Sequence, residues 1–328
     1  IVRRLVGSEM CIRDSPKGKS SDELLNEAEA KIFELSENRS KTDSLKKIEE
    51  FVGTTLDKLE ELSKKQGELI GSSSGFKAID GVTQGLQDED LIVIAGRPSM
   101  GTTSLAMNIA ENIAKNDDGC VAVFSLEMSS QSLTSRMLAS MAGISQSNVK
   151  TGNLTDRQWE KLIQQAKKLE EMNIFIDDTP NISPMEIRAK SRRLAKQYRK
   201  QGGVKLVVVD YIQLMQMPGR TENRVNELSE ISRALKYLAK EINAPVIVLS
   251  QLNRAVEQRP NKRPQMSDLR DSGAIEQDAD LIFMLYRDFV YNKNEEWKNV
   301  AEVRLVKHRN GPTKDLLLSF RDELTRFG

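Results

Sequence analysis

Cysteine is nearly absent from this chain of 328 residues: only Cys11 and Cys120 occur. Two thiols cannot build a disulfide scaffold, and their scarcity suits a reducing cytoplasm, where the protein is expected to reside. Histidine is scarcer still. The single His308 excludes His-rich metal sites and argues against a Ser-His-Asp triad. No apolar run approaches the roughly 18 residues that would span a bilayer, so no membrane partner is expected. An excess of one charge sign is missing too, because 49 Lys plus Arg face 48 Asp plus Glu. Net charge therefore speaks neither for nor against nucleic acid, and any basic surface must be local.

The chain is long enough for one large domain or two small ones. Its first fifteen residues, IVRRLVGSEMCIRDS, fit nothing that follows, and they lack the hydrophobic region and cleavage site of a signal peptide. They are read as a non-native tail, of the kind left by translated adaptor sequence, with a genuine frayed terminus as the plainer reading. Residues 16–70 read as a helical linker. Leu24, Leu25, Ala28, Ile32 and Leu35 form one apolar stripe over 22–38, and Ile48, Val52, Leu56, Leu59 and Leu62 form another over 43–65. Neither stripe has a partner in its own segment, so each is expected to dock on the main domain or on a neighbouring subunit. Gly71-Ser72-Ser73-Ser74-Gly75 then marks a linker or domain boundary.

From residue 71 onward the pattern changes to one α/β domain. Short apolar runs alternate with longer helical patterns: Leu91–Ala95, Val121–Leu126, Ile174–Ile176, Val204–Val209, Pro245–Leu249, Leu281–Leu285 and Val303–Val306. Continuous Val/Ile/Leu runs mark strands buried on both faces, and strand-helix alternation marks a mostly parallel sheet flanked by helices. Ligands bind such sheets beyond the carboxyl ends of the strands. The polar residues just after five of the runs should therefore converge: the glycine loop at 96–103, Glu127, Asp210, Ser250 with Gln251, and Lys307 with Arg309.

Gly96-Arg97-Pro98-Ser99-Met100-Gly101-Thr102-Thr103 follows the phosphate-loop pattern G-x-x-x-x-G-K-[ST] except that Thr102 replaces the lysine. Gly96 and Gly101, with Pro98 and Ser99 between them, let backbone N–H groups converge on a phosphate at a helix N-terminus. Thr103 supplies the hydroxyl that ligates Mg²⁺, and Asp210, ending an apolar run, supplies the carboxylate. Glu127 sits where a carboxylate orients and deprotonates an attacking water, although an ordinary surface glutamate would read alike. Gln251 is placed to sense a γ-phosphate; a surface glutamine is the plainer reading.

GRPSMGTT, FSLEMS (124–129), VVVDYIQLM (207–215), VIVLSQLNRAVEQR (246–259), DLRDSGAIEQDADLI (268–282) and KHRNGPT (307–313) resemble the ordered motifs of DnaB-type replicative DNA helicases. The resemblance covers roughly 22–328. It implies a RecA-like P-loop NTPase domain at 71–328, ATP or another NTP with Mg²⁺ as cofactors, and a homohexamer moving 5′ to 3′ on single-stranded DNA. Primase and a helicase loader are the partners it implies for a longer protein, of which this chain carries the linker helices and the motor. By the same resemblance Glu127 is the catalytic base, Asp210 the Walker B carboxylate and Gln251 the sensor. Arg136 lies near the nucleotide base, and Lys307 and Arg309 reach a neighbour's nucleotide, Arg309 as the finger.

Two polar loops, Gln216–Glu227 and Asn253–Gly273, leave the nucleotide end of the sheet and are expected to face DNA. Arg220, Arg224 and Arg254 are their candidate phosphate contacts. In the family, the segment matching Arg270, Asp271 and Gly273 touches DNA phosphates. Neither loop contains an aromatic residue, so backbone contacts rather than base stacking are expected.

Thr102 supplies no cation. Losing one charge pair near about 4 Å at an effective dielectric of about 20 costs about 4 kcal/mol, or roughly a thousandfold in rate. Nucleotide binding should persist while turnover falls. The change is open to three readings: an error or deliberate inactivation in an ordinary helicase, a catalytically inactive nucleotide- and DNA-binding ring subunit, or a RecA-like recombinase or regulatory ATPase.

Overall fold

The computed structural model describes residues 47–64, 69–217 and 223–328, leaving out the side chains of 58, 61, 62, 64 and 270–274. The terminal tail, the 22–38 helix and Arg220 lie outside the described residues, as do the side chains of Arg270 and Asp271. The chain divides into two units, Ile1–Gly67 and Glu68–Gly328. In the first, Glu49–Lys64 is helical, and Phe51, Val52, Leu56 and Leu59 along it are exposed.

In the second unit, nine strands among the described residues form one sheet. They are β1 (Leu91–Gly96), β2 (Cys120–Ser125), β3 (Ile174–Asp177), β4 (Val204–Asp210), β5 (Val246–Gln251), β6 (Leu281–Tyr286), β7 (Val300–His308), β8 (Lys314–Arg321) and β9 (Arg326–Phe327). The order across the sheet is β3-β2-β4-β5-β1-β6-β7-β8-β9. The first six run parallel. The last three alternate in direction, so β7 opposes β6.

Every residue of β1 is buried, and successive side chains serve opposite faces. Ile92 and Ile94 pack with Leu105, Ile109 and Ile113 of the Thr102–Asn116 helix. Leu91, Val93 and Ala95 pack with Ile231, Leu235 and Leu238 of the Arg224–Ile242 helix on the other side. A strand covered on both faces cannot alternate in polarity, which is why its sequence is an unbroken apolar run.

Gly71–Gly75 lies near the start of the second unit, where Ser74 is fully buried and Ser73 Oγ, Ser74 Oγ and Ser74 N–H all donate to the Asp80 carboxylate. Two expectations need correction. The loop expected over 216–227 ends early, because Asn223 caps the Val225 N–H and a helix starts at Arg224. The segment expected as a polar loop over 253–273 holds two 3-10 turns, Arg254–Gln258 and Met266–Ser272, anchored by buried Val256 and Leu269. Its cations fold back on the domain, Arg259 against Asp268 and Arg263 against Glu302.

Candidate nucleotide site

β1 ends at Gly96 and the chain turns through the glycine loop into the Thr102–Asn116 helix. Gly101 caps that helix at φ 95°, a left-handed conformation that disfavours side chains. A Cβ there would also lie 3.1 Å from the Phe327 ring and 3.2 Å from the Phe320 ring. The first helical turn carries no acidic residue, which leaves its N–H groups and the positive dipole end to an anion.

An open cleft of about 480 Å³ lies over this loop. Gly96, Pro98, Ser99, Gly101, Thr102 and Thr103 form its floor, and Glu127, Arg136, Asp210 and Gln251 its walls. Ten of the residues expected at the site are thus brought together. Thr103 Oγ1 donates to Asp210 Oδ2 at 3.0 Å. Burial pushes the Asp210 carboxyl up to about 6, with the Glu127 charge adding, while the Thr103 hydrogen bond and Arg136 act against the rise. Such a carboxylate is ionised at neutral pH yet poorly satisfied, as suits a group that receives a cation. A hydroxyl and one carboxylate match Mg²⁺, which takes few protein ligands and completes its shell with phosphate and water.

Glu127 is exposed, lines the cleft and lies within a turn in which Ser125 Oγ donates to the Met128 carbonyl. Arg136 extends from the Ser130–Ala142 helix with its buried Nε lacking a hydrogen-bond partner among the described residues. Arg97 points elsewhere, donating to Glu257 Oε1 at 2.9 Å and the Leu252 carbonyl at 2.8 Å.

Lys307 and Arg309 do not join this site. Because β7 runs against β6, His308 pairs with Leu281 at the amino end of the parallel strands. Lys307 Nζ donates to the carbonyls of Glu276 and Gln277 at 2.6 and 3.2 Å. Arg309 Nη1 donates to Asp280 Oδ1 at 3.2 Å. About five strand steps of roughly 3.3 Å separate that level from Gly96 in the same protomer, about 17 Å and beyond the reach of an arginine side chain. The expected convergence of five strand ends is therefore four.

Of the expected DNA contacts, Arg254 is exposed at the start of the turn after β5. Arg224 pairs with Glu227 and donates to the Gln213 and Met215 carbonyls. Arg220 and the side chains of Arg270 and Asp271 lie outside the described residues, as does any side-chain environment at Gly273.

Two residues at the site escape a reading of the sequence. Gln213 donates to Ser250 Oγ and the Gln251 carbonyl and accepts from the Gln251 N–H, pinning the end of β5. Arg287, 4% exposed, donates to the Ser99 carbonyl at 3.1 Å and to Asp322, and lies 4.5 Å over the Phe320 ring. The rule of inspecting each strand end, applied to Leu281–Leu285, would have found it.

Residues 71–328 match the family of DnaB-like helicase C-terminal domains. The replicative DNA helicase DnaB of Geobacillus stearothermophilus is 46% identical across 100% of this chain and 72% of its own length. The replicative DNA helicase DnaC of Bacillus subtilis is 44% identical over the same shares. One solved ATPase domain superimposes with a TM-score of 0.80 at 38% identity, covering 84% of this chain and 97% of that one. A DnaB-like replicative helicase, solved in a study of its interactions with primase, gives 0.78 at 38% identity over 90% of this chain and 70% of its own. With a family match that takes in the whole sheet and the cleft, and relatives at this identity along its full length, the chain belongs to the DnaB family of replicative DNA helicases.

Proposed function

We propose that this chain is an ATP-dependent motor that encircles single-stranded DNA as a homohexamer and couples hydrolysis to translocation and duplex unwinding. The observation that carries the subunit arrangement is the separation of the cleft from Lys307 and Arg309. A cation pair held at the far end of the sheet cannot serve its own cleft, but a neighbour stacked in the same sense would receive it.

The loop N–H groups hold the β- and γ-phosphates. Thr103 and Asp210 hold Mg²⁺, which when bound offsets phosphate charge. Glu127 orients the attacking water and takes its proton. Gln251, fixed through Gln213, responds to the γ-phosphate, and Arg136 borders the base. Arg309 of one protomer, seconded by Lys307, stabilises charge on the nucleotide of the next; such a finger contributes about 10³–10⁵ in rate. Arg254, and the segments carrying Arg220, Arg270, Asp271 and Gly273, contact the DNA backbone. Arg224 acts indirectly, by bracing the turn that holds Gln213. A cytoplasmic location, a loader and a primase partner fit this role, the last supported by the relative solved with reference to primase.

Thr102 favours a second reading for the chain as it stands, a ring subunit that binds nucleotide and DNA without turnover. ATPase assays of this chain and of Thr102→Lys, each with and without single-stranded DNA, separate the two. The motor reading expects DNA-stimulated turnover that rises about a thousandfold with the lysine. Equal, robust rates in both proteins would refute the account of Thr102; no turnover in either would favour the inactive subunit.

A further inference from the structure

The end of the sheet opposite the cleft holds a charge cluster centred on Asp280, which is 3% exposed. Its Oδ2 accepts from the Leu91 N–H at 2.8 Å and from Lys236 Nζ. Its Oδ1 accepts from Arg309 Nη1 at 3.2 Å, and its backbone carbonyl accepts from the Arg309 N–H at 2.9 Å. Burial alone would raise this carboxyl, but hydrogen bonds from Lys236, Leu91 and Arg309 hold it below the usual range. One buried carboxylate thus joins the first residue of β1, a helix lysine and the exposed Arg309.

Arg309 is 62% exposed in its side chain. A long exposed arginine samples many rotamers, and each contact it makes elsewhere must offset the freedom lost. Here backbone and guanidinium are both tied to one residue. Among the described residues only Nη1 of its guanidinium is bonded, which leaves Nε and Nη2 to a group beyond the protomer. The tie also runs to Leu91, whose strand ends at Gly96 and the phosphate loop.

We propose that Asp280 is the positioning residue for Arg309, holding its guanidinium ready at the protomer edge for a neighbour's triphosphate. The inference rests on the reading of Arg309 as acting on an adjacent subunit. Asp280 itself touches no nucleotide. Its carboxylate keeps the guanidinium in one pose, and Lys236, which also donates to the Glu89 carbonyl at 2.8 Å, balances the second oxygen.

A double-mutant cycle tests this. Binding of a fluorescent ATP analogue with Mg²⁺ is titrated for the self-associated chain and for Arg309→Ala, Asp280→Asn and the double variant. Each single change should weaken binding by about tenfold, and the double variant should match Arg309→Ala alone. Lys236→Met, which removes a different partner of the same carboxylate but leaves its bond to Arg309, should weaken binding less than Asp280→Asn does. A roughly hundredfold additive loss in the double variant, or an equal loss in Lys236→Met, would mean that Asp280 acts through the fold and would overturn the proposal. A loss in Arg309→Ala with none in Asp280→Asn would overturn it alone. No loss in Arg309→Ala would remove the intersubunit reading and the proposal with it. Should Asp280→Asn not fold, Asp280→Glu takes its place in the cycle, with a smaller loss expected that vanishes when Arg309 is absent.

Discussion

Thr103 and Asp210 come from opposite sides of the phosphate loop, one at the start of a helix and one at the end of β4, yet their oxygens meet at 3.0 Å. Among the described residues, that hydroxyl is the one hydrogen-bond donor to the buried carboxylate. Thr103→Ala should weaken Mg²⁺-dependent nucleotide binding by about ten- to a hundredfold, since bonds to charged groups are worth about 1.5–3 kcal/mol. Calorimetric titration with and without Mg²⁺ reads this directly; a loss of equal size in both would assign Thr103 to the phosphates instead of the metal.

Acidity should act on the same pair. A proton on Asp210 excludes a cation, and burial has moved its titration up to about 6. Mg²⁺-nucleotide affinity should therefore be flat above about pH 7 and fall about tenfold per pH unit below about 6. Asp210→Asn should remove that dependence along with most of the Mg²⁺ effect. An affinity unchanged between about pH 7 and about pH 5 would contradict the assignment.

At the far end of the sheet, two carboxylates pull stability in opposite directions. Burial, with the Asp280 charge adding, pushes Asp90 up to about 6, so the folded state holds a proton that the unfolded chain has released. Its effect is a loss of stability as pH rises from about 4 to about 6. Asp280, held low, stabilises the fold at neutral pH and loses that contribution as pH falls below the ordinary carboxylate range. Asp90→Asn should thus raise stability above about pH 6 by about 1 kcal/mol after discounting for solvent screening, and leave it unchanged at about pH 4. Urea unfolding at the two pH values checks the sign.

Gln213 should matter to turnover more than to binding. Its amide makes three hydrogen bonds to Ser250 and Gln251 and sits next to the turn braced by Arg224. In a Thr102→Lys background, Gln213→Ala should lower kcat by about tenfold or more with KM little changed, the pattern of a lost transition-state interaction. An effect on KM alone would place Gln213 in ground-state binding.

Much of this is legible in the sequence because buried parallel strands announce themselves as apolar runs. β1, β4 and β5 each lie within one or two residues of the runs that mark them, and the polar residues after them line the cleft. Direction is not legible. Val303–Val306 looks like any other run, and nothing in it says that β7 opposes β6, so a reading of runs alone groups Lys307 and Arg309 with the cleft. A signal does exist in Asn310-Gly311, a turn pair between β7 and β8. β8 itself buries Leu316, Leu318 and Phe320 in strict alternation, the pattern of a strand covered on one face. Arg224 reads as a candidate phosphate contact, and its pairing with Glu227 depends on a geometry that no local pattern encodes.

The reversal of β7 has a consequence for how copies can assemble. In the proposed arrangement a protomer takes a guanidinium into its cleft from one neighbour and gives its own, from the opposite end of the sheet, to another. Contacts of that heterologous kind either close into a ring by rotation or continue as an open helix. Whether a polymer of this chain ends is therefore decided by the angle between successive subunits, a quantity set at the interface and not within any single active site.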